Sequence, residues 1–165
     1  MADIANSNLY NFQGIPNIED ALVVLVKTEW NAPIVDKLEA GCQSVLQSHN
    51  VRTETVVVPG AVEIPFAIQQ YWTNNKVPAA FVALGCVIRG GTPHFEYVCQ
   101  SVTTGITQLN LSLPVPVIFG VLTVDDVHQA EDRVGGPHGH KGEEAAMTAI
   151  KMIALTQKMK EQKLR

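Results

Sequence analysis

Charge is what this chain has little of. Asp, Glu, Lys and Arg make up 17% of its 165 residues, and acidic residues outnumber basic ones, 16 to 12. No basic face is available to follow a nucleic-acid backbone or anionic headgroups, so neither nucleic acid nor a membrane surface is expected as a partner. Cysteine is also scarce. Cys42, Cys86 and Cys99 form an odd set without a C-x-x-C pair, which argues against a disulfide framework and suits reduced thiols in a cytoplasm. No apolar run reaches the roughly 20 residues that span a bilayer. No basic segment followed by an apolar run opens the chain, and a cytoplasmic location is the expectation. His128, His138 and His140 lie near Asp125 and Asp126, but His138-Gly139-His140 is not a firm ligand framework, and no metal is expected. Internal repeats and linkers are missing, so residues 1–165 read as one domain.

What is present is a moderately hydrophobic chain, 46% by residue, long enough to bury a sizeable core. The low charged fraction points weakly to surface buried in an oligomer. Residues 1 to about 19 are polar and irregular and read as an N-terminal arm. Four short apolar runs follow, at 21–26, 53–58, 79–84 and 115–119. They lack strict alternation, as strands covered on both faces do. Helical stretches are expected at 33–49, 64–74, 94–109 and about 125–132, with a long last helix from 142 to near 163. Strands alternating with helices imply an α/β fold built on a parallel sheet with right-handed crossovers. Ligands then bind beyond the carboxyl ends of the strands. Four segments are expected to meet there: Trp30-Asn31, residues 59–63, the segment after the third run, and residues 120–123.

The most informative segment is residues 84–99, LGCVIRGGTPHFEYVC. It reads as a buried strand, a glycine turn and the start of a helix, with Thr92 as N-cap and Pro93 as the first helical residue. Gly90 and Gly91 permit close approach of backbone N–H groups to an anion at a positive helix end. His94 then lies in the first helical turn, where the dipole disfavours imidazolium and favours a neutral base. Such a turn suits a phosphorylated small molecule, although a capped turn without a ligand and a structural histidine are equally compatible with these residues alone. Trp30 offers a flat face for stacking, or packs in the core or an interface. Asn31 is a good N-cap. Glu63 can hold hydroxyls or complement a helix dipole. Arg133 can clamp a phosphate or pair with Glu131 or Asp132. Cys86 and Cys99 read as inert buried thiols.

Taken together, the segments Trp30-Asn31, residues 59–65, residues 83–95, residues 119–123, Gln129-Ala130 with Arg133, and residues 141–146 resemble the 6,7-dimethyl-8-ribityllumazine synthase family of riboflavin biosynthesis. The resemblance runs from about Ala21 onward, with these blocks in the family's order and spacing. It implies a three-layer αβα sandwich around a four-stranded parallel sheet, flavodoxin-like. It also implies an enzyme, a transferase, that condenses 5-amino-6-(D-ribitylamino)uracil with 3,4-dihydroxy-2-butanone 4-phosphate. The products are the lumazine, phosphate and water, and no cofactor is implied.

By position, the resemblance makes Trp30 the stacking surface for the pyrimidine. Asn31, Ala61, Val62 and Glu63 hold the pyrimidine and ribityl chain. Cys86, Val87 and Ile88 line the ring pocket, with Phe119 opposite. Gly91, Thr92 and Arg133 hold the phosphate, His94 moves protons, and Lys141 supports the phosphate side. Two positions depart from the family pattern: Gly91, often a larger residue, and His140, usually asparagine. The resemblance further implies homopentamers with active sites shared between adjacent subunits; if Trp30 comes from one subunit and His94 from the next, mixed Trp30→Ala and His94→Ala chains should regenerate some intact sites. The arm resembles the family's N-terminal segment, which can add a strand to a neighbour's sheet edge, and the compact turn at 135–139 leans towards the 60-subunit icosahedral shell that some members form. Two other readings compete. A non-catalytic flavin- or lumazine-binding or shell-forming homologue is disfavoured by intact His94, Arg133 and Lys141. A lyase or isomerase acting on another sugar phosphate is disfavoured by Trp30 and the Glu63 turn.

Overall fold

The computed structural model describes residues 7–13, 15, 18 and 20–163. Its centre is strand β1 (Leu22–Thr28), in which Val23, Val24, Leu25 and Val26 are all inaccessible to solvent. Successive side chains point to opposite faces of a strand. Val23 and Leu25 therefore join one apolar layer, and Val24 and Val26 the other. That two-sided burial is why the strand is apolar without alternation. Strand β3 (Ala80–Ile88) is built in the same way, with Val82, Leu84 and Cys86 facing one layer and Phe81 and Ala83 the other. β2 (Arg52–Val58) and β4 (Val117–Val124) complete a parallel sheet in the order β2-β1-β3-β4.

Helices cover both faces. α1 (Ala32–Ser48) and α5 (Lys141–Lys163) pack on one side, through a stripe of Ile34, Val35, Leu38, Cys42 and Leu46 against Ala146, Ala149, Ile150 and Ile153. α2 (Ile64–Asn74), preceded by a short 3-10 turn at Ala61–Glu63, and α3 (His94–Ser112) pack on the other through Ile64, Ile68, Val102 and Ile106. A short α4 (Val127–Glu131) leads into a small antiparallel hairpin, β5 (Val134–Gly136) with β6 (Gly139–His140). The result is a flavodoxin-like α/β sandwich of three layers. Among the described residues, no helix is long and apolar enough to cross a membrane.

The chain leaves β1 towards β2 and leaves β3 towards β4, so its direction across the sheet reverses between β1 and β3. That is the topological switch point, where a crevice opens beyond the strands' carboxyl ends.

Several sequence expectations shift. The third strand, Ala80–Ile88, runs the 79–84 apolar run together with the strand read at the start of residues 84–99, because β1 pairs with its first half and β4 with nearly its whole length. The fourth begins at Val117 and runs to Val124, so residues 120–123 lie inside a strand and form no turn. The short helix narrows to Val127–Glu131, and the last one starts at Lys141. The arm is less detached than its composition implies. Phe12 and Ile15 pack against the α1/α5 layer and Ile18 is buried in it. Among the described residues none before Leu22 is in a strand, and residues 1–6 lie outside them.

Candidate active site

The crevice at the switch point is closed by hydrogen bonds between its loops. The Glu29 and Trp30 amides donate to the carbonyls of Val58 (2.9 Å) and Pro59 (3.2 Å), tying the exit of β1 to the exit of β2. Asn31 sits in the left-handed region at φ 58° and ψ 37°, which asparagine tolerates better than most residues. Its Nδ2 donates to the Cys86 carbonyl at 2.8 Å, linking β1 to β3 across the crevice. The expected side-chain cap is therefore not made. Asn31 holds the N-cap position of α1, but its amide is spent on the crevice. Thr28, buried, donates its hydroxyl to the Trp30 carbonyl at 3.1 Å.

Trp30 itself is 73% exposed in the single chain, which rules out a core role. Glu63 stands beside it over Gly60, where a Cβ would lie 3.0 Å from Glu63 Oε2 and 3.5 Å from Trp30 Cδ1. Ala61 is buried and Val62 half exposed. Cys86 is buried and Val87 and Ile88 are partly so. Burial pushes the Cys86 thiol up to about 11 and Cys42 up to about 12, so both stay protonated at neutral pH and neither is a ready nucleophile. Cys99 is only partly buried, less than expected, and its thiol is also raised by burial.

Beyond Ile88 comes the turn to α3. Pro93, not Thr92, takes the N-cap position, and no side chain caps the helix. Neither Gly90 nor Gly91 uses the left-handed region, and a Cβ on either would meet nothing within 4 Å. Their value is open space above the backbone rather than unusual dihedrals. His94 opens α3 and is exposed. A contact that the sequence pattern does not announce holds this turn. Arg89 donates Nε to Asp125 Oδ1 at 2.8 Å and Nη1 to Glu96, while its guanidinium lies 4.1 Å above the centre of the Phe95 ring. The Arg89 amide continues the sheet by donating to Val124 at 2.9 Å. The spacing of Arg89 from Glu96, on the first turn of the following helix, is the only local signal for this clasp.

Phe119, Arg133 and Lys141 lie elsewhere. They line a groove of about 750 Å³ along the free edge of β4, with Leu9, Glu144 and Thr148. Phe119 stands opposite Ala83 in the β3–β4 register, whereas Val87 stands opposite Thr123. Four residues of strand separate the two levels, about 13 Å. The chain by itself does not set Phe119 opposite the ring pocket. The hairpin does unite the two cations: Val134 pairs with His140, and the Lys141 amide donates to the Arg133 carbonyl at 2.8 Å. Arg133 Nη1 donates to the Gln129 carbonyl at 2.6 Å, in place of a pairing with Glu131 or Asp132. Lys141 is buried, and its ammonium reaches both oxygens of Glu144, at 2.7 and 2.8 Å. Glu144 is absent from the residues expected at the site, although its place three residues after a lysine is a helix-pair signal.

Three of the four expected segments thus meet at the switch-point crevice, and the fourth is replaced by a second, cationic groove on the sheet edge. The fold is a flavodoxin-like parallel α/β sandwich that presents an exposed tryptophan and a histidine at a helix start at one end of its sheet and a separate arginine–lysine groove at the sheet's edge. The chain belongs to the 6,7-dimethyl-8-ribityllumazine synthase family, whose model matches residues 20–157. Similar proteins include the 6,7-dimethyl-8-ribityllumazine synthases of Parabacteroides distasonis and Bdellovibrio bacteriovorus. The first is 46% identical over 151 residues, covering 90% of this chain and 94% of the relative. The second is 48% identical over 138 residues, covering 83% and 76%. That of Porphyromonas gingivalis is 44% identical over 153 residues, 91% and 94% of the two chains.

Proposed function

We propose that this chain, as a transferase of riboflavin biosynthesis, condenses 5-amino-6-(D-ribitylamino)uracil with 3,4-dihydroxy-2-butanone 4-phosphate, releasing phosphate and water. The observation that carries this reading is the family match over residues 20–157, which spans every residue given a role below. The uracil ring stacks on Trp30. Asn31, Ala61, Val62 and Glu63 hold the ring and ribityl chain, and Cys86, Val87 and Ile88 line the pocket. Gly91, Thr92, Arg133 and Lys141 receive the phosphate, His94 transfers protons, and Phe119 closes the ring pocket.

The substrate amine is its own nucleophile, consistent with thiols that stay protonated. What the protein supplies is proximity, about 7–11 kcal/mol in well-oriented reactions, together with proton transfer and a cation on the leaving phosphate. Because Phe119, Arg133 and Lys141 lie away from the crevice, a complete site forms between two copies, the groove of one facing the crevice of the next. A homopentamer in the cytoplasm, with a 60-subunit shell as the larger form, a single domain over 1–165 and an arm laid on a neighbour's sheet edge complete this reading.

The test is direct. The purified protein, mixed with the two substrates, should produce the lumazine absorbance and fluorescence well above the spontaneous rate. His94→Ala and Arg133→Ala should each lower kcat/KM at least tenfold, in line with loss of a proton-transfer group or a phosphate cation. Turnover no faster than the spontaneous reaction would overturn the proposal.

A further inference from the structure

His140 fills a place in this fold that no proposed substrate contact uses. Its ring lies against the backbone of α1 at Gly41. A Cβ at Gly41 would come within 2.2 Å of His140 Cε1, 2.6 Å of Nδ1 and 2.7 Å of Nε2. Any other residue at position 41 would push the ring out. The same ring stands at the start of α5, where Nδ1 lies 3.4 Å from the Glu143 amide and accepts from it. An acceptor there serves one of the otherwise unpaired amides of the first turn, the role of an N-cap side chain. Through its backbone, His140 also pairs with Val134 across the β5–β6 hairpin.

A hairpin this short is not stable by itself. What docks it is the pair Val134 and His140, Val134 against the α1/α5 core and His140 in the Gly41 notch. Arg133 and Lys141 are the residues flanking that pair, one just before β5 and one just after β6, joined by the bond from the Lys141 amide to the Arg133 carbonyl. Their positions relative to Phe119 are therefore set by where the hairpin sits on α1.

We propose that His140 is a positioning residue and Gly41 its receptor, and that together they set the two cations for the phosphate of the second substrate. This rests on the reading that Arg133 and Lys141 bind that phosphate. His140 does not touch substrate. It acts by holding the hairpin and the first turn of α5 in register.

The experiment compares wild type, His140→Ala, His140→Asn, Gly41→Ala and the Gly41→Ala/His140→Ala double variant. The readouts are KM for each substrate, kcat, and inhibition by inorganic phosphate. His140→Ala and Gly41→Ala should each raise KM for the butanone phosphate and the inhibition constant for phosphate on the order of tenfold, as small misplacements of binding groups do. KM for the uracil should hardly move. His140→Asn, which can still accept from the Glu143 amide, should restore phosphate affinity to within about twofold of wild type. The double variant should be no worse than His140→Ala, because the clash vanishes with the ring.

Unchanged phosphate affinity in His140→Ala would overturn the proposal. So would equal losses for both substrates that follow thermal stability and are not rescued by asparagine. If Gly41→Ala does not fold, the alanine and asparagine variants at 140 decide alone. Arg133→Ala serves as the separate control. If it leaves phosphate affinity intact, the assignment of the groove fails; if it weakens phosphate while His140→Ala does not, only the positioning role fails.

Discussion

Asn31 shows how much one residue can be asked to do. It holds a left-handed backbone conformation at the corner between β1 and α1 and spends its side chain on the Cys86 carbonyl. Replacement by alanine should cost about 2 kcal/mol, combining the left-handed penalty with the loss of a partly buried hydrogen bond. Glycine should recover roughly half, since it accepts the backbone but makes no bond. Urea unfolding at fixed protein concentration measures both, and equal losses in the two variants would show that backbone conformation contributes nothing. The sequence marks Asn31 as an N-cap candidate beside Trp30 at a strand end. Its actual partner, 55 residues away, is out of reach of any local pattern.

Among the elements, the turn from β3 into α3 is where charge does structural work. Arg89 bonds both Asp125, on the exit of β4, and Glu96, in the first turn of α3, and its guanidinium holds both carboxyls below their ordinary values of 3.8 and 4.5. A carboxylate depressed in the folded state contributes stability above its unfolded value and loses that contribution as pH falls through the folded one. Wild-type stability should therefore decline below about pH 4.5 in part through this clasp. In Arg89→Gln that part of the decline should vanish, and the two proteins should converge in acid. Thermal unfolding from roughly pH 2 to 6 reads the difference, which added salt should reduce, because the groups are exposed. Parallel curves for the two proteins would count against the clasp. The two-sided burial of β1 and β3 and the apolar stripe of α1 are legible in the amino-acid pattern, because each repeats over several turns or residues of one element. The β5–β6 hairpin, only five strand residues, has no periodicity to read.

For the molecule as a whole, the decisive feature is the separation of the crevice from the cationic groove. The crevice lies beyond the carboxyl ends of β1 and β3, and the groove lies on the edge of β4 beneath the α5 layer. Trp30 and His94 follow the exits of neighbouring strands at the same end of one sheet, so the shared site proposed above divides His94 from Arg133 rather than Trp30 from His94. Trp30, Phe66, Tyr97, Leu111 and Phe119 are exposed in the single chain, apolar surface of the kind the proposed assembly would cover. Sedimentation should give a pentamer or a multiple of it. Unfolding and co-refolding inactive His94→Ala with inactive Arg133→Ala chains should return part of the wild-type activity, since some interfaces then carry both native residues. Activity no greater than that of the two variants alone would place both residues in one chain's site.

The order of the four sheet strands and the main helices and the apolar layers follow from the sequence by itself, because burial on two faces and glycine–proline punctuation are local properties of the chain. Residues such as Phe119 and Lys141 are marked only by the family resemblance. The tertiary structure decided what those residues meet. It sent the Asn31 amide to Cys86 instead of its own helix, folded residues 120–123 into a strand, and set His140 in the Gly41 notch. It also carried Arg133 and Lys141 to the far edge of the sheet. Each of these depends on contacts between segments distant along the chain, and the direction of a strand or the depth of a notch exists only once the layers have packed.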